Sequence, residues 1–253
     1  MLDIREPLTT SRQFQLNRRV ALSDTDPSGR LRIDACARYL QDVAAFDAID
    51  ADISEMGNWV LRENNILVSA LPVYGQAINS KTYLTGSGRA WVERTSVITD
   101  LESGTRLIAA KAIWVLTRSS SGAPISVPEI LYEIYGPLAL QHKISIRSAK
   151  KQSVPHEASP IDWQIRYSDQ DILHHLNNAT YLEVLEEVMH QRKITISSDQ
   201  PMTCKVTYRE STSYEDQFQA YYRSTEDDET STVTIYFAKE DIVRTSIELR
   251  ILK

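Results

Sequence analysis

Two stretches of the chain carry helical periodicity, and most of the remainder alternates. Cys36, Tyr39, Leu40, Val43 and Ala44 recur at i, i+3, i+4, i+7 and i+8, which puts one apolar face on a helix, with Asp34 in position to cap it. Tyr181, Leu182, Leu185, Val188 and Met189 predict a second helix from about Ala179. Around them lie segments rich in β-branched and aromatic residues. They predict strands over 14–22, 59–62, 66–71, 77–86, 91–100 and 105–117, then 163–167, 204–209, 217–224, 230–238 and 244–252. Pro72-Val73-Tyr74-Gly75, Gly86-Ser87-Gly88 and Glu102-Ser103-Gly104 punctuate the first set, and Glu226-Asp227-Asp228-Glu229 marks a charged hairpin tip in the second.

One helix followed by antiparallel-looking strands is an α+β plan, and here it is stated twice. Ser168-Asp169-Gln170-Asp171 restates Ser23-Asp24-Thr25-Asp26 at an offset of 145 residues (168 less 23), each copy leading into a helix. The expected division is a first unit over 1–136, a linker over 137–160 holding Pro137, Pro155 and Pro160, and a second unit over 161–253. A chain of 253 residues suits two such units.

Composition narrows the function classes. With 42% hydrophobic and 25% charged residues the chain reads as an ordinary globular protein. Its formal charge of −6 argues against nucleic acid as a partner, because phosphate neutralisation needs a basic surface. Local basic patches remain at Arg18-Arg19, Arg30 and Arg32, and at Lys143, Arg147, Lys150 and Lys151, where they also serve solubility. The two cysteines, Cys36 and Cys204, form no CxxC pattern, and Met1-Leu2-Asp3-Ile4-Arg5-Glu6 is no secretory start, so a reduced, cytoplasmic protein is expected. Apolar runs such as Ala112–Leu116 are too short to span a bilayer, so no membrane partner is expected.

The candidate chemistry sits ahead of the second helix, where Asp169, Asp171, His174, His175, Asn177 and Asn178 fall within ten residues. Asn177 or Asn178 can cap the helix. A helix N-terminus offers aimed N–H donors to an oxyanion, and a histidine with a carboxylate beside it can handle the protons of acyl-group hydrolysis. Asp and Asn before a helix also serve as plain caps. A second polar run, Tyr208-Arg209-Glu210-Ser211-Thr212-Ser213-Tyr214-Glu215-Asp216, puts Glu210 where it could face the histidine loop or simply point to solvent. Adjacent histidines are not an i, i+4 zinc pair, and no Gly-rich phosphate loop is present, so neither metal nor cofactor is expected.

These residues resemble the acyl-acyl-carrier-protein thioesterase family of plants and bacteria. Asp169 to Tyr181 is similar to the family's D-x-D-x-N-x-H-V-N-N-x-x-Y signature, and Trp59-Val60-Leu61, Pro72-x-Tyr74-Gly75, Gly88–Arg94 and Ala112-x-Trp114-Val115-Leu116 follow the family order. The resemblance implies an α+β tandem (double) hotdog, two long helices each wrapped by an antiparallel sheet, with the acyl pocket in the first unit and catalysis in the second. It implies hydrolysis of a fatty acyl thioester on acyl carrier protein, or of acyl-CoA, by a monomer or homodimer. Asp171 would orient His175, Glu210 would activate water, and the start of the helix over 178–192 would hold the oxyanion.

Two departures stand out. The family's catalytic Asn falls on Leu173, which neither donates nor accepts a hydrogen bond, and its Glu falls on Ser211, with Glu210 one place early. A one-residue shift on a strand reverses the face unless a bulge restores it. The alternatives are therefore an acyl-chain or acyl-carrier binder with weakened catalysis, or a hotdog enoyl-thioester hydratase using the Asp169-x4-His174 spacing. Acyl length preference is expected to depend on first-unit residues such as Val43, Phe46 and Val68.

Overall fold

The first half contributes strands β1 (Phe14–Arg19), β2 (Asn58–Val68), β3 (Ala77–Ser87), β4 (Trp91–Asp100) and β5 (Arg106–Thr117), with helix α1 (Ile33–Asp50) between the first two. Two short helices follow, α2 (Ile130–Tyr135) and α3 (Pro137–Gln141), the latter at the start of the expected linker. The second half has β6 (Ser159–Ile161), α4 (Tyr181–Gln191), β7 (Met202–Tyr208), β8 (Gln219–Glu226), β9 (Thr230–Lys239) and β10 (Ile242–Leu252). This computed structural model describes residues 4–8, 10–146 and 151–253; Arg147 and Lys150 of the second basic patch lie outside them.

All ten strands form one antiparallel sheet in the order β1-β3-β4-β5-β2-β7-β10-β9-β8-β6. Read from either edge, each half runs first, third, fourth, fifth, second in its own chain order. The halves meet at β2 and β7, paired from Glu63 opposite Thr207 to Val68 opposite Met202. Alternation along β10 buries Val243, Thr245, Ile247, Leu249 and Ile251, as a sheet with one face on a core requires.

That core is continuous across the halves. Cys36, Tyr39 and Leu40 of α1 and the whole predicted apolar face of α4 are buried in it together with residues of β2, β5, β7, β9 and β10. A smaller cluster around Leu84, Val92, Leu131, Tyr135 and Leu140 lies under α2 and α3. Beside it Asp47 of α1, with no exposed surface, accepts from Arg12 Nε at 2.9 Å, Arg94 Nη1 at 2.5 Å and Tyr135 Oη at 2.7 Å.

Several expectations need correction. The segments over 59–62 and 66–71 are one strand, β2, which ends at Val68; its register slips between Leu61 and Glu63, and that bulge breaks the alternation. The strand expected over 163–167 is instead the short β6 before it. Trp163 packs in the core without joining a ladder, its ring centroid 5.6 Å from that of Phe237. Asp34 caps nothing: it sits inside the first turn of α1, fully buried, paired with Arg32 and Arg38. The cap comes from the other half, where Glu186 of α4 accepts the Ile33 N–H at 2.6 Å. The first basic patch is spent internally, since Arg18 pairs with Asp42, Arg30 with Asp26 and Arg32 with Asp34, while Arg19 holds the Gly75 carbonyl.

Candidate active site

The loop that presents His175 is organised by Asp171. Its Oδ1 accepts from the Leu173 N–H at 2.8 Å and from the His175 N–H at 3.4 Å, and its own N–H donates to the His175 carbonyl at 2.8 Å. Asp171 therefore fixes His175 through the backbone, its Oδ1 taken by N–H groups rather than by the imidazole. The first half builds the same loop at the same offset: Asp26 Oδ1 accepts from Ser28 and Arg30 N–H at 2.9 and 3.0 Å, and the Asp26 N–H donates to the Arg30 carbonyl at 2.8 Å. Gly29 takes the left-handed turn position there with φ 83°; His174 takes it here with φ 58°. An Asn or Gly would adopt that conformation at lower cost.

Just beyond, Asn177 Oδ1 accepts the Ala179 N–H at 2.9 Å, so Asn177 is the residue that caps the turn into α4. The Tyr208 hydroxyl donates to the Asn178 carbonyl at 2.8 Å, tying the start of α4 to the end of β7. Burial pushes the Tyr208 phenol well above its ordinary pKa, so it stays a neutral donor. The Asn178 N–H itself meets no acceptor among the described residues.

These groups open on a cavity of about 420 Å³, within the size range of small-molecule sites at about 300–1,000 Å³. Asp171, Ile172, Leu173, His175, Asn178, Tyr181, Tyr208, Glu210 and Ser211 line it from the second half. From the first half come Gln41, Ala44, Ala45, Ala48, Ile49 and Ile53 on and after α1, Trp59 and Arg62 on β2, and Leu84, Val92, Arg94, Trp114 and Leu131. His175, Ile172 at 95% exposure and Leu173 at 41% mark the solvent rim, while Leu84, Val92 and Leu131 are buried. The cavity thus runs from a polar rim to an apolar interior. Val43, Phe46 and Val68 do not line it: Val43 and Val68 are buried in the core and Phe46 faces solvent.

Glu210 reaches the cavity because the chain bulges after β7. Arg209 and Glu210 both donate their N–H groups to the Arg244 carbonyl, at 2.7 and 3.4 Å, two residues against one. Both Glu210 and Ser211 then line the cavity, exposed at its rim. The Glu210 carboxylate stands 3.4 Å from Arg244 Nε, whose guanidinium also lies 3.7 Å from Asp216. A hydrogen bond from Lys239, then one from the Ser213 N–H, hold Asp216 down at about 2, so it is a fixed negative charge behind Glu210.

Two residues singled out in the sequence stay outside. Asp169 is buried, its carboxylate bonded to the Arg166 N–H at 2.7 Å and Nε at 2.9 Å, and His174 occupies the loop tip; neither lines the cavity. Conversely, Gln41, Arg62, Arg94, Trp59 and Trp114 reach it from the other half. Gln41 and Arg62 carry no local sequence signal; Trp59, Arg94 and Trp114 lie in stretches that resemble the family, but only the fold brings them to the histidine loop. No cluster of three or more potential metal ligands is present among the described residues.

The comparisons agree with this architecture. The acyl-ACP thioesterase N-terminal domain family matches residues 11–135, and the acyl-ACP thioesterase C-terminal domain family matches residues 152–249. A chloroplastic acyl-[acyl-carrier-protein] hydrolase of Cuphea viscosissima is 24% identical over 135 residues, 49% of this chain and 31% of that protein. A chloroplastic palmitoyl-acyl carrier protein thioesterase of Arabidopsis thaliana is 21% identical over 129 residues, again 49% and 31%. The matched stretch thus spans about a third of the length of these curated relatives. In fold, the chain superposes on a provisionally assigned oleoyl thioesterase from Lactobacillus plantarum with TM-score 0.82 at 14% identity, covering 97% of this chain and 98% of that one. It superposes on the 12:0-ACP thioesterase from Umbellularia californica with TM-score 0.71 at 15% identity, covering 95% and 93%. With both domain families matched in order along most of its length, the chain belongs to the acyl-ACP thioesterase family.

Proposed function

We propose that this protein hydrolyses fatty acyl thioesters of acyl carrier protein, releasing a free fatty acid and the carrier thiol. The observation that carries this reading is a single cavity whose apolar interior comes from the first half and whose polar rim holds Asp171, His175, the start of α4 and Glu210. The fold is a double hotdog in this reading, with residues 1–136 supplying the acyl pocket, 137–160 joining the units and 161–253 supplying the chemistry.

The acyl chain lies against Ala44, Ala48, Ile53, Leu84 and Val92, and the thioester carbonyl meets the N-terminus of α4. In the turn just before it the unmatched Asn178 N–H, with the helix dipole behind, stabilises the oxyanion. Glu210 takes a proton from water as the water oxygen adds to the carbonyl carbon. The tetrahedral intermediate collapses with cleavage of the carbon–sulfur bond, and His175 delivers the proton that leaves the carrier as a thiol. Asp171 holds the loop that aims His175. The two free, buried cysteines fit a reducing compartment such as the cytoplasm, and among the described residues no helix is long and apolar enough to cross a membrane.

The test is release of thiol from acyl carrier protein loaded with a series of acyl lengths, with acyl-CoA in parallel and His175→Ala as the control. Chain-length-dependent turnover abolished by H175A is expected; acyl binding without turnover at any length rejects the enzyme. A second reading, an acyl binder of weak activity, is favoured by Leu173, which puts an aliphatic side chain on the rim where the family places Asn. The hydratase reading loses its geometry, because its pair Asp169 and His174 stands outside the cavity.

A further inference from the structure

The two loop-and-helix units superimpose in sequence register well past the histidine loop. Carrying the 145-residue offset into the helices pairs Cys36 with Tyr181, Ala37 with Leu182, Leu40 with Leu185 and Val43 with Val188, all buried. It also pairs Ile33 with Asn178 and Gln41 with Glu186. In the first half the Ile33 N–H is taken by a carboxylate from the opposite helix, Glu186, at 2.6 Å. In the second half the counterpart N–H, that of Asn178, is open, and the counterpart of the carboxylate is the neutral amide of Gln41. Gln41 lines the large cavity beside Asn178 and meets no hydrogen-bond partner among the described residues.

Glu186 therefore shows what a carboxyl oxygen does at this position of the fold: it accepts from the first N–H of the facing helix, that of Ile33. A carboxylate at position 41 would fill the same place and stop the Asn178 N–H in the turn that leads into α4; a carboxylate only accepts, whereas an amide also donates. Behind Gln41 a recess of about 20 Å³, room for one water, is lined by Gln41, Asn64, Arg94, Ser96 and Asn178. Asn64 there is 7% exposed and its Oδ1 has no partner. Arg94 and Ser96 in this recess are bonded within the first half, to Asp47 and Thr82, whereas Asn64 Oδ1 and the Gln41 amide are left unmatched beside Asn178 among the described residues, which calls for a ligand or water to meet them.

We infer that Gln41, contributed by the first half, is a further catalytic residue of the thioester site, its side-chain amide donating to the substrate carbonyl oxygen alongside the Asn178 N–H. The inference rests on the thioesterase reading and makes the active centre a composite of both halves. The pseudo-equivalent Glu186 marks a terminus that the protein has closed on itself.

The experiment compares Q41A and Q41E with the intact chain, and with E186Q as the control at the closed terminus. Loss of one oxyanion donor lowers kcat by about 10²- to 10³-fold, so Q41A is expected to fall in that range with KM within about threefold. Q41E is expected to be at least as slow while melting like the parent, because its carboxylate takes the Asn178 N–H. E186Q keeps the parent's turnover. Binding is measured in parallel for two acyl analogues, a trifluoromethyl ketone, whose hydrate carries an oxygen at the carbonyl site, and a thioether without that oxygen. Q41A should lose roughly tenfold or more in affinity for the ketone alone. If the parent turns over no acyl thioester, the thioesterase reading fails while the ketone–thioether contrast still decides Gln41. If Q41A or Q41E keeps kcat within threefold, or both analogues bind Q41A as they bind the parent, the inference is overturned.

Discussion

Replacing Glu186 by Gln should make the protein less sensitive to rising pH. The carboxyl accepts the Ile33 N–H, which favours its ionised form, yet burial dominates and, with Asp34 and Asp26 nearby, raises its pKa from 4.5 to about 7. Below the unfolded value both states hold the proton, and this contribution to stability is fully present. As pH climbs from about 4.5 toward 7 the unfolded chain releases its proton while the folded one keeps it, so stability is lost across that window. The gap of about 2.5 pK units (7 less 4.5), at about 1.4 kcal/mol per unit, sets a ceiling of about 3–4 kcal/mol. Since the side chain keeps some contact with water, about 1–2 kcal/mol is the working figure. Gln accepts the same N–H without titrating. Urea unfolding of parent and E186Q at about pH 5 and about pH 8 should therefore show the parent losing about 1–2 kcal/mol more than the variant, other titrations cancelling in the difference. Parallel pH dependences would refute the reasoning.

Three further outcomes follow from named contacts. Asp47→Ala leaves the buried Arg94 guanidinium uncompensated and should cost about 3–5 kcal/mol in urea unfolding; a loss below about 1 kcal/mol would mean the network is not what holds α1 to β4. Leu173→Asn puts a hydrogen-bonding side chain back on the rim and should raise kcat by up to about 10²-fold, with an unchanged kcat locating any weakness elsewhere. Ala48→Phe inserts a ring into the apolar cavity and should shift the preferred acyl length downward; an unaltered chain-length profile of kcat/KM would show that the chain does not run along α1.

The helices were legible because their burial follows the 3.6 period: each apolar residue named for α1 and α4 is buried. The strands were legible by type but not at their irregular points. The bulge in β2 reads in sequence as a gap, and the bulge after β7 is invisible because it depends on Arg244, on a strand that follows much later. The histidine loop was readable because it is local, with Asp171 bonding to residues two and four places on. The remainder of the site was hidden. Gln41 and Arg62 carry no motif, and they reach the cavity only through the way the halves pack. The cap on α1 was misassigned for the same reason: Asp34 is the proximate acid, but the acceptor for Ile33 lies 153 residues away.

The shared ladder between β2 and β7 constrains how this protein can be re-engineered. Tyr208, which pins the start of α4, hangs on a strand whose register is set by six pairings to the other half. A graft that slipped this seam by one residue would turn Cys204, Val206 and Tyr208 from the interior to the outside and dismantle the corner between Asn178 and β7 from a distance. Chimeras that trade whole halves between homologues must therefore match the seam first, whereas reshaping of the large cavity is safest by point changes along α1.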